Sequence, residues 1–363
     1  METSAASFAA RALEGHASLC ARFELGGGAL RRDGRVHPPG GVAHLWPFAR
    51  AFVATLDVAG IPAELRAGAP GSAFDGDAVI ARRLRALERY WDERGPAYAS
   101  DPPARLTRLL GGGDIYYDDN AWAGLALVQL ARQRPGDSRV DRALALADFA
   151  RAGWDRDSSA PSPGGVFWVQ QGRGLGARNH DRNAISTAPN AELILHLEAL
   201  GKPIAGEPGP AEMARWVTDT LGTGNDLFRD KIRGDGTIDN ALWSYNQGSM
   251  LGLHALLSER DGPDGPEHLR RAEAIARAAL GHYEARRYAG EPPEFVAILM
   301  RNLLVLSART DDDGLRRWIA RALRERADAA WPIAPGATLL QHSAAVTLQA
   351  LAAWDPADHR LLA

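Results

Sequence analysis

The chain lacks the features that would place it in several common classes. It has one cysteine, Cys20, in 363 residues. No disulfide framework and no cysteine-based zinc site can therefore form within one chain. No uninterrupted apolar run approaches the ~18 residues of a membrane span. The N-terminus, Met1-Glu2-Thr3-Ser4-Ala5-Ala6-Ser7-Phe8, has an early acid, then Arg11 and Glu14, and no apolar segment of signal length. A cytoplasmic location is the expectation from these residues. Charge of neither sign dominates: the net charge is −3 and the pI about 6.4. That balance excludes the basic footprint of a nucleic-acid binder or of a protein held on an anionic membrane. Alternating Val/Ile/Thr runs bounded by turns do not recur, so strand signals are almost absent. No His/Glu metal motif, phosphate loop or dinucleotide fingerprint occurs, and no metal or other cofactor is expected.

Helical periodicity fills the space that strands leave. One set of segments is amphipathic and rich in Arg and Glu, at roughly 3–22, 77–94, 139–153, 210–221, 266–285 and 313–328. In the second of these, Val79, Ile80, Leu84, Leu87 and Tyr90 form a single apolar stripe. Between them lie segments richer in Ala, Leu and Gly and poorer in charge, at roughly 41–58, 117–132, 186–200, 242–258, 293–308 and 338–354. A helix apolar nearly all round is a buried one. Six alternations of a half-exposed and a buried helix predict an all-α fold, a closed (α/α)6 toroid forming a single domain over 1–363. An open α-solenoid is the rival, but its repeats keep a fixed period and a consensus, and neither is present here. The Gly/Pro-rich stretches 25–41, 155–183, 201–210 and 261–266 read as loops within that domain.

In such a toroid every inner helix starts at the same pole, so polar residues at those starts converge. The starts carry His44 and Trp46; Tyr117, Asp118, Asp119 and Trp122; Asn183; Trp243, Tyr245, Asn246 and Gln247; and His342. Capping accounts for one Asp, Asn or Ser per helix, but not for Tyr245-Asn246-Gln247 following Trp243-Ser244 on one start. A binding cleft accounts for all of them. Trp46, Trp122, Trp168 and Trp243 supply flat apolar faces of the kind that sugar rings pack on, although any one of them alone reads as core. Gly111-Gly112-Gly113-Asp114-Ile115-Tyr116-Tyr117-Asp118-Asp119-Asn120-Ala121-Trp122 sets two adjacent carboxylates among aromatic rings. A cap plus a first-turn acid would explain the charges but not the tyrosines and Trp122. Burial and mutual repulsion push the two pKa values apart, as a general acid beside an ionised carboxylate requires. Glycoside hydrolysis uses that pairing. Asp311-Asp312-Asp313-Gly314 superficially resembles a calcium loop but lacks its alternating spacing, and reads as the acidic start of a helix.

At this point the residues resemble glycoside hydrolase family 76. The resemblance rests on Tyr116-Tyr117-Asp118-Asp119-Asn120-Ala121-Trp122, on Ile185-Ser186-Thr187-Ala188-Pro189-Asn190, on Trp243-Ser244-Tyr245-Asn246-Gln247-Gly248, and on Phe295 through Leu304 with Arg301. It covers roughly residues 85 to 353. It implies an (α/α)6 barrel and a retaining endo-α-1,6-mannanase with no obligatory metal or cofactor. Asp118 would be the nucleophile and Asp119 the acid/base. The chain departs from the family in lacking an export signal and in reading Phe295-Val296-Ala297, without Lys-Gly after the phenylalanine. A monomer acting on an α-mannoside oligosaccharide or polysaccharide, short oligosaccharides above all, is the resulting expectation. Two other readings keep the toroid. One is a sugar epimerase using His44 and His342 as acid/base groups, and the other a non-catalytic carbohydrate-binding protein.

Overall fold

The computed structural model describes residues 3–32, 41–68, 74–102, 113–136, 139–260 and 262–363. Gly111 and Gly112 of the glycine run, residues 33–40 of the 25–41 loop and Asp261 of the 261–266 loop lie outside the described residues. Thirteen α-helices are seen among the described residues: α1 (Ala5–Phe23), α2 (Leu45–Ala59), α3 (Ala63–Ala67), α4 (Gly76–Leu87), α5 (Tyr117–Gln133), α6 (Val140–Ala152), α7 (Ala184–Ala199), α8 (Pro210–Leu221), α9 (Ser244–Leu257), α10 (Gly265–Ala285), α11 (Pro293–Ser307), α12 (Asp313–Ala329) and α13 (Leu339–Ala353).

The alternation expected from the composition is present. On α7 every residue from Ala184 to Leu197 is buried, whereas α12 buries only Leu315, Ile319, Ala322, Leu323 and Ala327. The second set is a single stripe at helical spacing, which lays one face on the core and leaves the arginines in water. Helices α2, α5, α7, α9, α11 and α13 pack each on the next, and α13 packs back on α2, so the inner ring closes. Outside it, α1 packs on α13 and α2, α4 on α2, α6 on α5 and α7, α8 on α7 and α9, α10 on α9 and α11, and α12 on α11 and α13. This is an all-α (α/α)6 toroid. Among the described residues, no helix is long and apolar enough to cross a membrane.

Local chemistry sets where the helices begin. Asp312 caps α12, its carboxylate accepting from the Leu315 amide at 2.8 Å. The acidic run 311–314 is thus a helix start. Thr338 and Gln341 close a reciprocal capping box on α13. Helices α9 and α11 approach closely at Gly248. A Cβ there would sit 2.8 Å from the Leu299 Cα and 3.1 Å from its amide nitrogen.

The near-absence of strand signals hides, among the described residues, five strands of two residues each: β1 (Trp91–Asp92), β2 (Ala97–Tyr98), β3 (Arg182–Asn183), β4 (Lys231–Ile232) and β5 (Ile238–Asp239). β1 and β2 form one antiparallel pair, and β3, β4 and β5 a three-stranded antiparallel sheet. Two residues carry no periodicity, so such elements leave no mark on the sequence pattern. They tie together the loops that precede the inner helices, at the pole where those helices start.

Candidate active site

A cavity of about 640 Å³ opens at that pole. Five of the six inner helices contribute to its wall: α2 through His44 and Trp46, α5 through Asp118, Asp119 and Trp122, α7 through its preceding residue Asn183, α9 through Tyr245, and α11 through Phe295. The loops add Ser100, Asp101, Gly113, Asp114, Tyr116, Trp168 and Asp230, and β4 adds Lys231.

Asp118 and Asp119 are not helix caps. Tyr116 occupies the N-cap of α5 without a side-chain capping bond, and both carboxyls fall within the first turn. The Asp119 amide donates to Asp118 Oδ1 at 3.0 Å. The segment 168–170 lies antiparallel to residues 115–117 at the start of α5: the Tyr117 amide donates to the Trp168 carbonyl at 3.0 Å and the Gln170 amide to the Ile115 carbonyl at 2.8 Å. This lays Trp168 beside the pair, its ring 5.0 Å from Tyr116.

The two carboxyls sit in unequal surroundings. Burial pushes Asp118 up to about 7, and the negative charge of Asp230 adds to that shift. The amides of Asp119 and Asp118 and the Trp168 side chain act the other way, favouring the ionised form. Asp119 is raised well above the usual carboxylate range by burial first, then by the charges of Asp118 and Asp101. Of the two, Asp119 has the weaker support for a negative charge, so it is the one that keeps its proton.

Asp230 is a buried carboxyl that the sequence reading missed. Asn246 Nδ2 donates to its Oδ1 at 3.1 Å and the Tyr245 hydroxyl at 3.4 Å. Its amide donates to the Asp239 carbonyl and its carbonyl accepts from the Ala184 amide at 2.9 Å, which fixes it between α7 and α9. Burial raises its pKa, and Asn246 and Lys231 oppose the shift. Lys231 pairs with Asp181 at 3.1 Å and lies 5.7 Å from the Trp168 ring centre. Asp101, likewise missed, is held by Arg32, by His44 Nδ1 at 3.1 Å and by the Ser100 hydroxyl at 3.4 Å. Burial tends to raise it, but its hydrogen bond and charge interaction with His44 and the Arg32 charge prevail, holding it below the ordinary value. Asp114 Oδ1 accepts from the Leu175 amide at 2.9 Å. No sequence signal marked these three residues, because loop pairing and not helical position brings them to the site.

Five residues expected in the cleft lie elsewhere. Tyr117 turns about 100° from its neighbour Asp118 around the helix and stacks on Phe149 of α6, ring centres 4.5 Å apart. Trp243 holds the N-cap position of α9, packs T-shaped against Phe295 with ring centres 5.7 Å apart, and does not line the cavity. Tyr245 stacks on that same phenylalanine at 3.9 Å, inside it. Gln247 points into the loop wall: its Oε1 accepts from the Phe228 amide at 2.8 Å, and its Nε2 donates to the Phe228 and Trp243 carbonyls. Asn246 holds Asp230 without lining the cavity. His342 faces outward to α1, its Nε2 donating to the Gly15 carbonyl at 2.9 Å and its ring packing edge-on against Phe23. Asn183 holds the N-cap position of α7, makes no capping bond and does line the cavity. Among the described residues, no group of three or more His, Cys, Asp or Glu side chains is arranged to hold a metal ion.

Solved structures share this architecture. A family 76 glycoside hydrolase of Bacteroides thetaiotaomicron, described as a mannosidase, superimposes with a TM-score of 0.73 at 19% identity, over 95% of this chain and 98% of that one. An inactive α-1,6-mannanase variant from a Salegentibacter species has two consecutive aspartates replaced by asparagine and is in complex with α-1,6-mannotriose. It gives a TM-score of 0.70 at 17% identity, over 96% and 99% of the two chains. Among curated proteins, the meiotically up-regulated gene 191 protein of Schizosaccharomyces pombe is 26% identical over 186 residues, 48% of this chain. The matched region spans only 39% of that relative's length. The family model described as glycosyl hydrolase family 76 matches residues 101–354. That match takes in both aspartates, the wall of the cavity from Asp101 to Phe295 and five of the six inner helices, and with it the chain belongs to glycosyl hydrolase family 76.

Proposed function

We propose that the protein hydrolyses α-1,6-linked mannosides with retention of configuration, Asp118 acting as nucleophile and Asp119 as acid/base. The observation that carries this reading is the pair of adjacent carboxyls of unequal acidity on the first turn of α5, at the floor of an aromatic-walled cavity. In the first step the Asp118 carboxylate attacks the anomeric carbon as the bond to the leaving sugar breaks, and Asp119 gives its proton to the departing oxygen. In the second, Asp119 takes a proton from water, the resulting hydroxide attacks the same carbon, and Asp118 leaves. Trp46, Trp122, Trp168, Tyr245 and Phe295 offer ring faces to the sugar. Asp230, Asn183, His44 and Lys231 offer groups for its hydroxyls. The Salegentibacter protein, inactive with both adjacent aspartates replaced and able to hold α-1,6-mannotriose, supports the pair's role and the choice of linkage.

The epimerase reading needs two histidines facing one sugar, and His342 points to α1, away from the cavity that His44 lines. A purely binding protein gains little from two buried adjacent acids. The test is a product profile on linear α-1,6-mannan and short oligomers, with NMR of the anomeric proton in the first minutes. Initial release of the α-anomer is expected. Initial β-anomer would overturn retention, and intact substrate after long incubation would overturn the hydrolase assignment to this linkage.

A further inference from the structure

Arg50 is a buried cation that the proposed chemistry does not use. It lies on α2 one turn beyond Trp46 and is 4% exposed. A buried guanidinium ordinarily spends its five N–H donors on a carboxylate or on carbonyls. Among the described residues, no hydrogen bond or ion pair from the Arg50 side chain is seen. Its guanidinium carbon lies instead 5.7 Å from the Trp46 ring centre and 5.8 Å from that of Trp122. The two indoles are themselves 5.7 Å apart and inclined at 48°. Both line the cavity, and Trp122 sits one turn beyond Asp118 on α5.

The charges acting on Arg50 from neighbouring elements are those of Arg301 and Glu294 on α11 and Asp57 on its own helix. Arg301 repels it, while Asp57 and Glu294 attract it. Beside these charges, the guanidinium stands equally near both rings, within cation–π reach of each, and that attraction strengthens when the cation is stripped of water. An arginine held by two rings also holds the rings, because each indole is free to turn about two side-chain bonds unless something fixes it.

We propose that Arg50 is a positioning residue that clamps Trp46 against Trp122 and so sets the aromatic platform on which the sugar packs. The clamp belongs to the fold. Its consequence for affinity rests on the glycosidase reading above. Neighbouring indoles at this separation and tilt give an exciton couplet in circular dichroism, and its amplitude reports their mutual angle. The difference spectrum between wild type and Trp122→Phe defines the contribution of this pair. Arg50→Met, which keeps the length and removes the charge, is expected to lose most of that contribution. It should raise KM for α-1,6-mannotriose about tenfold while kcat falls much less. Arg50→Lys, keeping a cation, should recover part of both. Thermal melts of all three variants separate loss of the clamp from loss of the fold: if Arg50→Met is unfolded, the couplet of the folded Arg50→Lys protein, compared with wild type, decides. A couplet and a mannotriose affinity unchanged in Arg50→Met, or a reduced couplet that Arg50→Lys does nothing to recover, would overturn the proposal. A wild-type protein indifferent to mannotriose, with the couplet still lost in Arg50→Met, would instead sink the substrate reading and leave the clamp standing.

Discussion

Asp118 must be ionised to attack and Asp119 protonated to donate, so activity is confined between their two titrations. With Asp118 pushed up to about 7, the acid limb of kcat/KM is expected near neutrality, far above an ordinary carboxylate. Its neighbours make the assignment testable. Asp230→Asn removes a negative charge that raises Asp118 and should move the acid limb to lower pH. Trp168→Phe removes a partner of the ionised form and should move it higher. Opposite shifts would reassign the limb to another group. Asp118→Asn and Asp119→Asn should each cost at least about 10³-fold in activity on α-1,6-mannotriose. Both should remain folded, and full activity in either would dismiss the pair. The same burial affects stability. A carboxyl whose folded pKa is raised stabilises the fold below its unfolded value, and that contribution disappears as pH rises through the folded value. Asp119→Asn should therefore be more stable than wild type at pH 8 and almost no different at pH 4, read from melting curves at the two pH values.

Among the elements, the loops before the inner helices need the most fixing, and buried side chains supply it. Arg182 on β3 donates to Asp155 Oδ2 at 2.8 Å and to the carbonyls of Pro161 at 2.7 Å and Ser162 at 3.0 Å. It gathers the loop ahead of Trp168 onto the strand that carries Asn183. Arg182→Met strands Asp155 and those carbonyls and is expected to cost about 3–5 kcal/mol in denaturant melts, with KM rising as Trp168 and Asn183 lose their seats. Gly248 faces the backbone of α11, which cannot give way as a flexible side chain can. Gly248→Ala should cost about 1–3 kcal/mol, and an unchanged melting midpoint would contradict the packing. The block Tyr245-Asn246-Gln247-Gly248 thus divides its labour. One residue lines the cavity, one holds Asp230, one braces the loop at Phe228 and one lets α9 approach α11. The spacing of the block suggested a site, but the four directions around the helix axis depended on neighbours that the sequence pattern does not name.

Across the whole molecule, the ring is tied below the cavity by one polar network. Arg301 of α11 grips both carboxylate oxygens of Asp57 on α2 at 2.6 Å and donates to Gln129 of α5 at 2.6 Å, while Thr347 of α13 donates to Asp57 at 3.0 Å. Breaking one side leaves a buried charge unpaired, so Arg301→Met should destabilise by about 3–5 kcal/mol. Combining it with Asp57→Asn should restore part of the loss, and strict additivity in that double-mutant cycle would refute the coupling. The alternation of buried and half-buried helices was legible in the residues because burial of a helix face is written locally, in the spacing of apolar side chains. The aspartate pair was legible for a similar reason: its oddity lies in adjacent positions. Membership of the cavity wall was not local. Asp101, Asp114, Asp230 and Lys231 reach the site through loop pairings of one or two residues, too short to leave a period. Tyr117, Trp243, Asn246, Gln247 and His342 leave it because each position on a helix start points in one direction, and closure of the ring determines whether that direction is the cavity, a loop or the outer layer.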